Sequence, residues 1–111
     1  MTPNKAIEIV DSLTPNTYSE EDKLRWINEL DGMVQRLVIQ TDKVMQYEYP
    51  DDMDKELLIP APFENVYPFY LEAQIYYHNK EYDYYNNAVM RFEEQYSEYK
   101  KAYIRDNPVR R

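Results

Sequence analysis

Between Tyr82 and Tyr103 the sequence reads YDYYNNAVMRFEEQYSEYKKAY, and Tyr82, Tyr85, Val89, Phe92, Tyr96, Tyr99 and Tyr103 follow one another at alternating steps of three and four. An α-helix of 3.6 residues per turn keeps such a set on one stripe. The positions between them are largely Asp, Asn, Glu, Gln, Arg and Lys, which suit a solvated face, and no Gly or Pro interrupts the run. The stretch is therefore an amphipathic helix of about six turns. Six of its seven stripe positions are aromatic and five are Tyr. A buried Tyr must set its hydroxyl against a partner or in water, and a core built for stability alone uses Leu, Ile and Val. Two readings stay open. The stripe Tyr82, Tyr85, Phe92, Tyr96 either lies at the rim of a small bundle, rings inward, or serves a contact between proteins, where Tyr is enriched.

The rest of the chain supplies helices to cover that stripe. Thr2-Pro3 reads as an N-cap followed by proline at the first helical position, opening a short helix with Ala6, Ile7, Ile9 and Val10 as its apolar residues. Leu13-Thr14-Pro15-Asn16 ends it. Ser19 can accept from the amide of Asp22, and Glu20, Glu21 and Asp22 suit a first turn. Leu24, Ile27, Leu30, Val34, Leu37 and Val38 then form a helical stripe flanked by Trp26 and Met33. Gly32 inside that helix suggests close approach of another helix. A third helix starts near Glu64, with Val66, Tyr70, Ala73 and Tyr77 on one face and Tyr67, Leu71 and Ile75 widening it. Asn79-Lys80 makes a tight corner into the Tyr-striped helix, so the last two helices form an antiparallel hairpin. Asn107-Pro108 closes the last helix, and residues 104–111 read as a basic tail. The expected fold is all-α: one domain, a small bundle of about four helices near 3–12, 19–39, 64–79 and 81–105, with a long acidic loop at 40–62.

That loop has no periodicity, and long connections of this kind are often functional or mobile. Glu48, Asp51, Asp52, Asp54 and Glu56 invite a calcium reading, but the central Gly of an EF-hand loop is missing. Phe63 stands where the bidentate Glu would be if Asp52 opened the loop. A solvated loop is the expectation, with no metal and no cofactor. Leu57-Leu58-Ile59, bounded by prolines, reads as a short extended segment that lies across the bundle or pairs with a neighbouring chain.

A single Gly, no Cys and seven Pro exclude a disulfide scaffold, a cysteine-ligated metal site and a cysteine nucleophile. With one Gly there is no phosphate-cradling loop. The one histidine, His78, ends the third helix with no base or third group signalled beside it. No catalytic site is legible, and the chain is expected not to be an enzyme. No apolar run is long enough to span a membrane, and no secretory signal is visible, so synthesis in the cytoplasm fits. The formal charge of −8 is uneven. Residues 1–90 hold seven Lys and Arg against seventeen Asp and Glu, and residues 91–111 hold six against four. An acidic body opposes general nucleic-acid binding.

The string LLIPAPFENVYPFYLEAQIYYHNKEYDYYNNAVMRFEEQY, from Leu57 onward, resembles the head–tail connector (adaptor) proteins in the neck of long-tailed bacteriophages of Gram-positive hosts. The matching features are Leu57-Leu58-Ile59-Pro60-Ala61-Pro62, Tyr67 with Tyr70-Leu71, the Asn79 corner with Glu81, then Tyr85-Asn86-Asn87-Ala88 and Phe92. Trp26-Ile27-Asn28-Glu29-Leu30-Asp31 is similar to the family's second helix. The resemblance touches roughly two-thirds of the chain. It departs at the corner, which often reads Asn-Gly where this chain has Asn79-Lys80, and in the acidic loop, which lacks a Gly-rich turn. The resemblance implies a helical bundle in the virion neck, made in the bacterial host. It would assemble with itself as a dodecameric ring beneath the portal protein, extend the DNA channel without binding DNA specifically, and offer a platform to the next neck or tail-completion protein. Carried onto this sequence, it assigns Tyr99, Tyr103, Arg105, Arg110 and Arg111 to portal docking, and Leu57, Leu58 and Ile59 suit contacts to a neighbouring subunit. The alternative expectation is a small acidic helical regulator that binds one protein partner, as a DNA mimic for example.

Overall fold

The computed structural model describes residues 1–108, and among these the architecture is all-helical, with no strand. Helix α1 is Pro3–Leu13, α2 is Glu20–Met33, α3 is Val66–His78 and α4 is Tyr82–Asp106. The last six residues of the second helical run, Val34–Ile39, widen into π-helical turns. No described helix is long and apolar enough to cross a membrane.

Local chemistry sets the ends of these helices. The Thr2 hydroxyl accepts the amide of Lys5 at 3.1 Å with Pro3 at the first helical position, and the Ser19 hydroxyl accepts that of Asp22 at 3.0 Å. Each such cap satisfies a donor the helix cannot pair itself, a contribution of about 1 kcal/mol. Thr14 stops α1, donating its amide to Val10. Gln40 ends the π-helical turns in the left-handed conformation, at φ 64°. At the other end of the chain, Asn107 closes α4 by bonding the Tyr103 carbonyl through both its amide and its side chain. Helix α4 therefore runs through Asp106, one residue beyond the expected end at 105, so the start of the segment read as a basic tail belongs to its last turn.

Helices α3 and α4 are an antiparallel hairpin. Phe63, Tyr70, Tyr76 and Tyr77 meet Tyr99, Phe92, Tyr84 and Tyr85 in turn, and Glu72 bonds Arg91 at 2.6 Å. From Phe63 through Tyr70 and Glu72 to Tyr76 the numbers rise along one partner as they fall along the other. Lys80 turns the corner with φ 62°, the conformation that costs an L-residue roughly 1–2 kcal/mol and glycine nothing. The Tyr18 hydroxyl ties that corner down by donating to Asn79 at 2.8 Å.

A single core joins Ala6, Ile7 and Val10 of α1, Leu24, Trp26, Ile27, Leu30 and Val34 of the second helical run, Tyr67, Leu71 and Ile75 of α3, and Tyr96 and Tyr99 of α4. On α3 the residues expected only to widen the apolar face, Tyr67, Leu71 and Ile75, are as fully buried as Val66 of the expected main face, while Tyr77 is half exposed. The reason is that α3 is covered on two sides: Tyr70 and Tyr77 meet α4, and the other three residues fill the core. Lys23, only 2% exposed, joins α1 to α2 by donating to Asp11 at 2.7 Å and to the Tyr18 carbonyl.

Residues 40–65 carry no helix or strand, yet they are not a solvated loop. Met53, Leu57 and Ile59 are buried in the common core. Backbone bonds fix the segment to the start of the chain, from Asn4 to the Met53 carbonyl and from Leu57 to the Met1 carbonyl. Its carboxylates are engaged locally. Asp52 accepts the amide of Glu48 at 2.7 Å, which with Lys55 holds its pKa below the ordinary value, and Asp54 accepts from Asn4. Gly32 likewise meets no helix: a Cβ there would lie 3.8 Å from Val44 of this segment, an ordinary contact.

Candidate interaction surfaces

The packing of the long connection is governed by three polar side chains of the second helical run, Asn28, Asp31 and Gln35, at steps of three and four and so on one face. The Asn28 amide accepts the backbone N–H of Tyr47 at 2.8 Å and donates to its carbonyl at 3.0 Å. Gln35 does the same for Met45, at 2.7 and 2.9 Å. Between them lies Asp31, 1% exposed. Its carboxylate accepts the Tyr47 hydroxyl at 2.5 Å, the Tyr67 hydroxyl at 2.6 Å and the Leu58 amide at 3.3 Å. The Tyr67 oxygen in turn accepts the amide of Ile59 at 2.8 Å. Burial raises the Asp31 pKa, and the three donors oppose that shift without cancelling it. Burial together with the neighbouring carboxylate also pushes both phenols well above their ordinary range. Every group in this knot holds another in place, which makes it a clamp on the connection.

That clamp decides where the expected contact residues sit. Leu57 is 6% and Ile59 0% exposed, inside the chain's own core, so an intersubunit role has to be withdrawn for both. Their amides or neighbours are tied to Met1 and Tyr67, and alternation along an extended segment leaves only Leu58 outward. Tyr99, assigned to portal docking, is also a core residue at 5% exposed, with its pKa pushed up to about 12 by burial. Its ring packs between Phe63 and Tyr103. Tyr103 is half-buried, and Arg105 is exposed beside Asp106 at 3.2 Å. Arg110 and Arg111 lie outside the described residues.

No family model, curated protein or solved structure matches this chain.

The Tyr stripe of α4 divides along its length. Tyr96 and Tyr99 are buried, Tyr85, Phe92 and Tyr103 half-buried, and Tyr82 is 54% exposed. At the hairpin corner the rings gather on the outside instead. Tyr76 stacks on Tyr84 at 5.4 Å, and Tyr77 meets both Tyr82 and Tyr85, while His78 stacks on the buried Trp26 at 5.3 Å with planes 10° apart. Tyr77, Tyr82 and Tyr84 are each at least half exposed, so one end of the molecule presents an aromatic patch of rigid, amphipathic rings. His78 is held there by stacking, with Tyr18 and Tyr77 on its other sides.

Two of the grooves on the described surface border these helices. One, of about 590 Å³, runs between α2 and residues 46–49 and is edged by Glu21, Asp22, Glu29 and Glu48 with Arg25 the single cation. The other, of about 480 Å³, lies between the π-helical turns and α4, with Met33, Leu37, Phe92 and Tyr96 as its apolar walls. Leu37, expected in the apolar stripe of the second helix, is 69% exposed at its edge. Among the described residues, no three His, Asp or Glu side chains come together as a metal site. The polar stripe Asn28, Asp31 and Gln35 was the signal in the sequence for the clamp, since acidic and amide residues recur there at helical spacing beside the apolar stripe.

Proposed function

We propose that this chain is a structural protein of a phage neck, a subunit of a ring beneath the portal that continues the DNA channel and presents a platform to the next neck or tail component. The observation that carries the reading is the way the two resembling segments fit together. Residues 57–62, α3 and the first half of α4 follow one another as a strap anchored by the buried Leu57 and Ile59 and then a hairpin. The other segment, Trp26 to Asp31, meets that unit at Asp31, which takes both the Leu58 amide and the Tyr67 hydroxyl. The two resembling segments thus touch at Asp31, which supports reading them as parts of one unit.

The surface is of a kind that suits the role. An acidic body lining a channel lets DNA slide, because like charge opposes adhesion. The exposed rings at the hairpin corner and the outward Leu58 are available for neighbours. The cations of the C-terminal end suit a separate, acidic surface on the portal.

Size-exclusion chromatography with light scattering, on the chain mixed with the portal of the same genome, tests this. Co-migration with portal is expected, and its loss on truncation after Asn107, which spares the cap of α4, is expected with it. A chain that ignores portal refutes the neck reading and leaves the acidic regulator as the better account.

A further inference from the structure

On the solvent side of α4, Met90, Glu93, Glu94, Ser97, Lys100, Lys101 and Ile104 follow at steps of three, one, three, three, one and three. Helical geometry puts all seven on one face, opposite the buried Ala88, Tyr96 and Tyr99. The series is symmetric about Ser97. An apolar residue stands seven positions to either side, two acids lie on the N-terminal side, and two bases occupy the equivalent positions on the C-terminal side. Met90 and Ile104 are 68% and 65% exposed, large values for such side chains, and the four charged residues are exposed as well.

We infer that this face of α4 binds a second copy of the chain, α4 against α4, antiparallel about a two-fold axis at Ser97. In that arrangement Met90 packs on Ile104 of the second copy, Glu93 faces its Lys100, Glu94 faces its Lys101, and the symmetry repeats each contact. Two apolar contacts, one at each end, bracket four ion pairs. Ser97 is small enough to let the two helices approach to the usual spacing of roughly 8–10 Å. A parallel two-fold pair would set Glu93 and Glu94 against their own copies and the lysines against theirs, so the charge order selects the antiparallel pair. Leu37, beside the same face across the groove walled by Met33 and Tyr96, extends the apolar contact at its edge. Within one chain the lysines have only weak alternatives. Lys101 is 3.6 Å from the exposed Glu98, and Lys100 lies over the Tyr96 ring at 4.8 Å. The contact is isologous and closes at two copies, so it is separate from a ring interface and does not rest on the neck reading.

Sedimentation equilibrium of the full chain over a concentration series, with circular dichroism as the check on folding, tests the pair. The parent chain is expected to dimerise. E93K/E94K and K100E/K101E, each of which turns the four ion pairs into four like-charge pairs, are expected to weaken self-association at least about tenfold. Mixed in equal amounts, those two variants are expected to form a heterodimer at least as tight as the parent dimer, because the mixture places acids opposite bases on both sides. M90S/I104S, which alters only exposed side chains, is expected to weaken the dimer with its charges intact. A parent chain that stays monomeric up to roughly millimolar concentration overturns the inference, as does a dimer indifferent to both charge swaps, or a mixture of swapped variants that fails to associate. A dimer that ignores portal leaves this inference standing and refutes only the neck reading. A chain that joins portal but is monomeric when free does the reverse.

Discussion

Replacing Tyr67 with Phe removes one oxygen from the centre of the molecule and leaves the ring. That oxygen donates to Asp31 at 2.6 Å and accepts the amide of Ile59, a residue with no exposed surface. Loss of a hydrogen bond to a charged group accounts for about 1.5–3 kcal/mol, and a buried N–H left without an acceptor for about 1–3. The two effects share one site and do not add fully, so the expected destabilisation is about 3–4 kcal/mol. Against a total stability of roughly 5–15 kcal/mol this is a large fraction. At ~4 °C per kcal/mol for a domain of this size, the melting temperature falls by roughly 12–16 °C. Tyr70→Phe is the control. Its hydroxyl reaches Glu29 at 3.3 Å near the surface, and its removal is expected to shift stability by less than ~0.5 kcal/mol. Urea titration of both variants gives the two numbers directly, with an unchanged slope showing that the same surface unfolds. A Tyr67→Phe loss below ~1 kcal/mol, or no larger than that of Tyr70→Phe, would refute the argument that this knot clamps residues 40–65 to the bundle.

Three further outcomes follow from the same geometry. Lys80→Gly relieves a left-handed residue at the hairpin corner and is expected to raise stability by about 1 kcal/mol in thermal melts; a decrease would mean the Lys80 side chain holds the corner in some other way. Gly32→Ala adds a Cβ at ordinary contact distance from Val44 inside a helix and is expected to stabilise by about 0.5–1 kcal/mol, whereas a close helix neighbour would make it destabilising. For pH, the folded-state pKa of Asp31 is raised above its ordinary 3.8, so its contribution is fully present below that value and is lost as pH rises through the folded-state pKa. The stability difference between the parent and Asp31→Asn is therefore expected to shrink as pH rises from 3.8 upward, and a difference that grows would reverse the assignment.

The helices were legible because their signals are local. Thr2-Pro3, Ser19 with Asp22, Asn79-Lys80 and Asn107-Pro108 mark their ends through neighbours a few residues away, and apolar spacing marks what lies between. The connection was not legible for the opposite reason. Asp31 and Tyr67 are 36 residues apart, and Asn28 and Tyr47 are 19 apart, so no window along the chain shows that they meet. Charge there suggested solvent, whereas Asp52 and Asp54 bond within the segment or to Asn4 while Met53, Leu57 and Ile59 go inward. The Tyr stripe was assigned to the right face of α4, but periodicity tells which side is covered and not how far the cover extends. Tyr96 and Tyr99 lie under the body of the bundle, while Tyr82 stands more than half exposed beside the hairpin corner, against the Tyr77 ring.

The neck reading is most directly tested by native mass spectrometry of this chain incubated with the portal assembly of its own genome. The account predicts one closed complex in which the chain is present as a ring, in fixed proportion to the portal subunits and absent when portal is omitted. Free chain beside free portal, at concentrations where the chain is folded, would contradict it.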